Sequence, residues 1–150
     1  VGEAGSAGGG ANVAEPATTR LEPPESPAGA PFWAATRERR FTLPWCQTCD
    51  RPHWFPRDFC PHCLTGDVEW REASGRGVVY AVSVMPKPAN PTMAGREPYA
   101  VALIELAEGV RMMSEVTGCP PDEVTVDLPV RLRWEALGDG RHLPLFEPDG

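Results

Sequence analysis

Two Cys-x-x-Cys motifs constrain the fold of this chain more than any other feature of its sequence. They are Cys46–Cys49 and Cys60–Cys63, and ten residues separate them. Each motif can turn so that both sulfurs point the same way, and two such turns facing each other form a tetrahedron of thiolates that suits Zn²⁺. The spacing therefore predicts a rubredoxin-like zinc ribbon with Cys46, Cys49, Cys60 and Cys63 as the metal ligands.

All four expected ligands come from one short stretch, which leaves no evident open position for a substrate. The metal is therefore expected to be structural, with a binding free energy on the order of 10 kcal/mol that stabilises the fold. Iron also accepts four thiolates, and the sequence leaves that option open. A redox dithiol and a disulfide framework are less favoured, because a second pair at metal-site spacing is present and no secretory context is indicated.

Three other residues carry ligand or nucleophile chemistry. His53 and His62 lie close enough to substitute as ligands, but with four cysteines available each is expected to be a partly exposed ribbon residue. Cys119 is expected to be a small, half-buried residue at a strand end, since the sequence identifies no general base for it. No catalytic residue is assigned.

Composition separates the front of the chain from the rest. The 150 residues carry a formal net charge of −7, and an acidic surface repels phosphate backbones, which disfavours nucleic acid as a partner. Residues 1–30 are rich in Gly, Ala and Pro and are expected to form a flexible linker or tail. The start at Val1, together with this linker, favours a domain cut from a longer polypeptide. No signal-like or membrane-length apolar stretch is present, so a cytoplasmic protein without membrane contact is expected.

A short helix is predicted between the linker and the zinc site, over residues 31–40, with Pro31 in its first turn and basic residues at its end. Phe32 and Trp33 would lie on one side of it. These aromatics either pack on the ribbon or dock a partner, and the sequence does not separate the two. The candidate partner-binding residues are Phe32, Trp33, Trp54 and Phe55.

Beyond the zinc site the periodicity is that of β-strands. Strands are predicted over residues 77–85, 99–106, 110–116, 130–134 and 143–146, and residues 51–57 are expected to form a small hairpin between the two Cys motifs. Five short strands of this kind predict a closed OB-type barrel. The chain is thus mainly β, with a tail (1–30), a short helix plus zinc ribbon (31–72) and a five-stranded OB-fold barrel (73–150).

The connection between the first two barrel strands, residues 86–98, is too long and proline-rich for a hairpin turn, and loops of this length are often functional. Its cations are Lys87 and Arg96. They are candidates for binding an anionic ligand such as a CoA phosphate, with solvated loop charges as the alternative. Arg131 and Arg133 are expected to lie on one solvated strand face.

Taken together, these residues resemble a known family: small zinc-ribbon plus OB-fold proteins that accompany thiolase-like enzymes acting on acyl-CoA. The resemblance runs from Pro31 to Pro148 and rests on the order and spacing of motifs that are individually weak. They are Pro31-Phe32-Trp33, the two Cys-x-x-Cys motifs, Pro56-Arg57 before Cys60-Pro61, Gly75-Arg76-Gly77, Pro98-Tyr99, Glu105-Leu106 with Gly109, Pro121-Asp122-Glu123-Val124, Pro129-Val130 and Leu143-Pro144-Leu145-Phe146.

The resemblance implies that the helix and the ribbon dock on a thiolase-fold partner, which carries the chemistry, in an expected 2:2 hetero-oligomer. One branch of the family is fused behind a hot-dog-fold enoyl-CoA hydratase in bacterial steroid side-chain degradation. That branch pairs with a lipid-transfer-protein-like aldolase and supports retro-aldol cleavage of a steroid acyl-CoA. For this chain the resemblance implies a non-catalytic accessory role with structural Zn²⁺ and with acyl-CoA as a possible ligand.

Two other functions remain in competition. A stand-alone acyl-CoA binding protein would close the 86–98 loop over its ligand and bind CoA esters without a partner. A single-stranded nucleic-acid binding module would use the OB barrel, but it needs a cationic groove with exposed aromatics, and the acidic charge argues against it.

Overall fold

The computed structural model describes residues 20–150. One helix, α1 (Ala30–Arg37), precedes three ribbon strands, β1 (Thr42–Cys46), β2 (Arg51–Pro52) and β3 (Val68–Glu72). Five further strands follow: β4 (Arg76–Met85), β5 (Tyr99–Leu106), β6 (Arg111–Val116), β7 (Pro129–Ala136) and β8 (His142–Pro148). Single 3₁₀ turns lie at Pro91–Met93 and Pro121–Glu123. The predicted mainly β class is confirmed.

Strands β4 to β8 form a closed barrel in the order β4-β5-β6-β8-β7. Neighbouring strands are antiparallel except β6 and β8, which pair in parallel through Val116 and Phe146. The residues of β5 alternate between inward-facing and outward-facing positions. The inward-facing side chains, such as the fully buried Ile104, contribute to the barrel core. Gly77 is required where β4 pairs with β5, since a Cβ there would lie 2.5 Å from the carbonyl oxygen of Glu105. The OB-type barrel predicted from periodicity is confirmed.

The ribbon is a small antiparallel sheet in the order β2-β1-β3. The predicted hairpin over residues 51–57 is wrong: only Arg51–Pro52 is a strand, and it pairs back onto Trp45 and Cys46 of β1. Proline explains the short pairing, because Pro52 and Pro56 have no N–H to donate to a ladder. The first Cys motif is therefore itself the turn of the hairpin.

Helix α1 is shorter at its end than predicted. The sequence indicated residues 31–40, but the helix ends at Arg37 and Arg39 takes a left-handed conformation with φ 55°. The N–H of Arg40 then returns to the carbonyl of Ala35 at 3.0 Å, and the same carbonyl accepts from Glu38 at 3.1 Å, as in a helix C-terminal motif. The chain reverses here and enters β1.

Ribbon and barrel share one hydrophobic core. Phe32 of α1 and Phe41 and Leu43 of the ribbon belong to the same cluster of buried side chains as Val79, Ile104 and Phe146 of the barrel. Burial of apolar surface at this junction stabilises the two parts against separation. The position of the ribbon on the barrel is thus fixed by packing.

Residues 20–29 lie on the barrel, although they belong to the segment predicted to be a flexible linker. The N–H of Leu21 donates to Thr92 Oγ1 at 3.1 Å, and Arg20 makes ion pairs with barrel carboxylates. The prediction is wrong for this part, because tertiary ion pairing anchors a segment whose composition alone would not order. The rest of the predicted linker, residues 1–19, lies outside the described residues. Between residues 20 and 150, no helix is long and apolar enough to cross a membrane.

Candidate metal centre and docking groove

The two Cys-x-x-Cys motifs bring their four sulfurs together. All four lie within 4.8 Å of one another, with 3.5 Å between the sulfurs of Cys46 and Cys63 and 3.7 Å between those of Cys49 and Cys60. A tetrahedral site with Zn–S bonds of about 2.3 Å has sulfur–sulfur edges of about 3.8 Å. The donor set and its spacing therefore fit a zinc ion bound by four thiolates.

Hydrogen bonds and crowding act in opposite directions on these thiols. The backbone N–H of Cys49 points at the Cys46 sulfur and lowers the pKa of Cys46 to about 6, and the Thr65 hydroxyl lowers the pKa of Cys63. Burial and the neighbouring sulfurs raise the pKa of Cys49 to about 12. Four crowded thiols cannot all ionise without a counter-charge, whereas a bound divalent cation favours the thiolate form of each.

Phe32 is the centre of an aromatic cluster under the ribbon. Its ring meets Trp33 and Trp54 edge to face, each with centroids 5.1 Å apart, and lies 6.4 Å from Phe41. Only 3% of Phe32 is exposed. Of the two roles left open for this residue, the structure supports packing on the ribbon.

An open, largely apolar groove of about 750 Å³ runs along the junction of ribbon and barrel. All four residues predicted to bind a partner line it, with Phe32 at its base and Phe55 66% exposed. The four methionines of the chain, Met85, Met93, Met112 and Met113, line it as well. Methionine side chains are unbranched and adapt to irregular shapes, so this docking groove suits an apolar occupant.

Trp33 is held at the edge of the docking groove by a buried arginine. The guanidinium carbon of Arg141 lies 4.8 Å from the centroid of the Trp33 ring, and its Nε donates to Asp139 at 2.6 Å. Glu25, in the segment before α1, lies 3.6 Å from the same guanidinium. The hydrogen bonds from Arg141 lower the pKa of Asp139. Arg141, which is held by Asp139 and Glu25, thus positions Trp33.

Arg20 also lines the docking groove. One guanidinium nitrogen lies 2.9 Å from Glu115 of β6 and 2.8 Å from Glu135 of β7. Glu135 also accepts from Arg96 at 3.0 Å. The network is largely shielded from water, so each charge depends on its partners.

The two candidate CoA-binding cations are not equivalent. Arg96 is engaged by Glu135, so an anionic ligand would compete with an existing ion pair. Lys87 is exposed and makes no ion pair with the described residues. Only Lys87 is therefore free to meet a ligand in this conformation.

Of the remaining sequence predictions, the one for His53 is wrong and the others agree with the structure. His62 is exposed, as predicted, whereas the prediction for His53 is wrong: it is 3% exposed, and it lines a cleft together with Glu105 and Val110 of the barrel side. Cys119 is half-buried, as predicted, and burial raises its pKa. Arg131 and Arg133 lie on an exposed face and pair with Glu147.

The fold and the cysteine cluster define a class, the rubredoxin-like zinc ribbon joined to an OB-fold barrel. Two family profiles match: the rubredoxin-like zinc ribbon domain of ChsH2 over residues 33–69, and the C-terminal OB-fold domain of ChsH2 over residues 70–135. A chain in the solved structure of an Ltp2-ChsH2(DUF35) aldolase is 35% identical, with a TM-score of 0.77 over 85% of this chain and 98% of that one. The protein belongs to the ChsH2 zinc-ribbon/OB-fold family.

Two curated relatives are much longer than the part that matches. A probable enoyl-CoA hydratase alpha subunit of Thermomonospora curvata is 37% identical over 118 residues, which are 78% of this chain and 36% of that protein. The 3-oxo-4,17-pregnadiene-20-carboxyl-CoA hydratase alpha subunit of Mycobacterium tuberculosis is 41% identical over 78 residues, 51% of this chain and 24% of that protein. The chain thus spans about a third and a quarter of their respective lengths.

Sequence reasoning missed the residues that build the docking groove around its aromatics. The methionines come from β4, the 3₁₀ turn and β6, and no local pattern connects them. The Arg20 anchor was missed for the same reason, since Glu115 lies 95 positions further along the chain. The only available signal was Arg20 itself, a lone cation in an otherwise acidic segment.

Proposed function

We propose that this chain is the accessory part of an acyl-CoA lyase. It docks on a thiolase-fold, lipid-transfer-protein-like aldolase and supports retro-aldol cleavage of an acyl-CoA, with a steroid side-chain CoA thioester as the substrate class. The observation that carries the proposal is the likeness to a chain of the Ltp2-ChsH2(DUF35) aldolase over nearly all of that chain. The steroid hydratase relative supports the substrate class.

The residues that the fold brings together indicate which role each protein has in the complex. Cys46, Cys49, Cys60 and Cys63 hold a structural Zn²⁺, which fixes the ribbon and leaves no ligand position open. The partner supplies the catalytic residues. The helix plus ribbon (31–72) forms the docking part, the OB barrel (73–150) supports it, and the complex is a 2:2 hetero-oligomer.

The docking groove is the surface we assign to the partner. Trp33, Trp54 and Phe55 lie around an adaptable methionine lining, and aromatic side chains with methionine are enriched at the cores of protein interfaces. Phe55 is the most exposed of the three, since 66% of its surface is free. Burial of that ring against the partner would give the largest gain in apolar contact.

The test is reconstitution of the zinc-loaded chain with an Ltp2-type aldolase from the same genome. Cleavage of a steroid β-hydroxyacyl-CoA is followed as release of a shorter acyl-CoA by mass spectrometry, and light scattering gives the stoichiometry. We expect activity only from the mixture, and at least tenfold weaker association for the double variant Trp54→Ala/Phe55→Ala. Val126→Ala, at an exposed apolar residue that does not line the groove, is the matched control. Absence of a complex, or cleavage by this chain alone, would contradict the proposal.

One observation favours a second candidate, acyl-CoA binding by the chain itself. The docking groove has the volume and apolar lining of a small-molecule site, and the 86–98 loop forms part of its wall. If the chain itself binds acyl-CoA, the acyl group occupies the docking groove and Lys87 forms an ion pair with a CoA phosphate. Calorimetric titration of the isolated chain with a long-chain acyl-CoA separates the candidates, because the accessory proposal requires the partner for tight binding. Lys87→Gln should weaken binding of the CoA ester in the second candidate only.

A further inference from the structure

The residue after the second cysteine of each motif has the same unusual backbone. Asp50 has φ 53° and Leu64 has φ 63°, both in the left-handed region that L-residues other than Asn, Asp and Gly rarely adopt. Asp50 suits this position, because its short carboxylate also accepts from Trp45 Nε1 at 2.9 Å. Leu64 has no such local reason, since a leucine gains nothing from this conformation.

Packing does not explain Leu64 either, because 74% of its surface is exposed. One residue therefore carries both backbone strain and exposed apolar surface, where glycine would relieve both. A contact outside this chain would offset that cost by burying the side chain.

Two other exposed side chains precede Leu64 in the same ribbon segment. Phe59 is exposed and directly precedes Cys60, whose carbonyl accepts from the Leu64 N–H at 2.9 Å. The guanidinium carbon of Arg57 lies 6.0 Å from the centroid of the Phe59 ring. We call Arg57, Phe59 and Leu64 the knuckle patch. These three residues are separate from those that line the docking groove.

The charge of the knuckle patch is also unmatched. Most arginines of residues 20–150 form ion pairs, such as Arg96 with Glu135 and Arg133 with Glu147. Arg57, like Arg51 at the start of the same segment, has no carboxylate within ion-pair distance in that part of the chain. In a chain with a net charge of −7, a cation left without a local acid is available to an external carboxylate.

We infer that the knuckle patch is a second contact surface for the thiolase-fold partner, and that it fits an apolar depression rimmed by Asp or Glu carboxylates. This inference rests on the proposed function, since it adds a contact to the same complex. Leucine and phenylalanine would fill the depression and Arg57 would pair with its rim, the combination of apolar anchor and arginine that dominates many interfaces. Electrostatic pairing at the rim would also speed association at low salt.

The decisive variant is Leu64→Gly, because stability and binding should move in different directions. Glycine relieves the strain, so the melting temperature of the zinc-loaded chain should stay the same or rise, while the Kd for the Ltp2-type aldolase rises at least tenfold. Asp127→Gly is the matched control: Asp127 is exposed, has φ 68° and lies outside the ribbon. It should leave the Kd unchanged and change the melting temperature less, because Asp tolerates this conformation better than Leu does.

A second variant tests the charge. The Kd of the unaltered chain should rise with sodium chloride, and Arg57→Gln should give a shallower dependence. If Leu64→Gly binds within twofold of the unaltered chain while Trp54→Ala/Phe55→Ala binds weakly, the knuckle patch is not a contact and the proposed function survives. A lower melting temperature or lost zinc in Leu64→Gly would make Leu64 structural and also overturn the inference. No complex with the unaltered chain would overturn both.

Discussion

The rings of Phe32 and Trp54 meet edge to face with their centroids 5.1 Å apart, and this contact joins the helix before the ribbon to the segment between the two Cys motifs. Phe32 lies inside the shared core, while Phe55, the next residue after Trp54, points outward. Neighbouring aromatics in the same region therefore have opposite roles. One supports the surface and the other forms it.

Substitution of these two phenylalanines should separate the roles. Phe32→Ala removes a buried ring and should lower the free energy of unfolding by about 3–5 kcal/mol, as measured by urea denaturation followed by circular dichroism. Phe55→Ala removes an exposed ring and should change it by less than about 0.5 kcal/mol. Equal effects of the two substitutions would show that the core does not extend under the ribbon as described.

Arg20 should be the anchor of the N-terminal segment. Arg20→Ala removes the cation shared by Glu115 and Glu135, and we expect a loss of about 1–3 kcal/mol, because two largely buried carboxylates lose a charged hydrogen-bond donor. Hydrogen exchange at the Leu21 amide should accelerate, since its bond to Thr92 depends on the same segment. Arg131→Ala, which breaks an exposed ion pair with Glu147, should cost less than about 0.5 kcal/mol. Unchanged exchange at Leu21 would argue against the anchor.

Cysteine spacing and strand periodicity were enough to predict the class of fold. The motifs fix the ribbon because four ligands must converge, and five alternating segments of suitable length leave few arrangements other than a small barrel. Strand β1 was missed because Pro44 sits in its middle, and proline inside a run argues against a strand. Strand β3 does alternate, in Val68-Glu69-Trp70-Arg71-Glu72, and that signal was available.

The candidate site was less predictable than the fold. The groove depends on which methionines of separate elements meet, and the Arg20 anchor depends on an ion pair across 95 positions. No local sequence pattern predicts the groove lining or this ion pair. The exposure of His53 was predicted wrongly because a ribbon loop of this size has little interior by itself, and the barrel supplies the surface that buries it.

His53 should make stability depend on pH. Burial, with the nearby charges of His62 and Arg57, lowers the pKa of His53 below its usual value of 6.5. The unfolded chain therefore binds a proton more readily than the folded chain, so stability is fully present above pH 6.5 and falls as the pH drops toward the folded pKa. Urea unfolding between pH 7.5 and 5.5, with zinc content checked at each point, should show this slope. His53→Gln should flatten it, and an unchanged slope in that variant would place the effect elsewhere.

Removal of the metal should abolish association with the aldolase and should not act directly on the cleavage reaction. Cys49→Ser takes away one of four thiolates, and the ribbon should lose zinc and its fixed conformation, because binding energy at such a site is folding energy. The barrel strands should remain, since their ladders and interior do not include the cysteines. Cys119→Ser is the matched control: it removes a half-buried thiol outside the cluster and should keep one zinc per chain by elemental analysis. If zinc-free Cys49→Ser associated with the aldolase at an unchanged Kd, docking would not depend on the folded ribbon, and the knuckle patch would not be a contact.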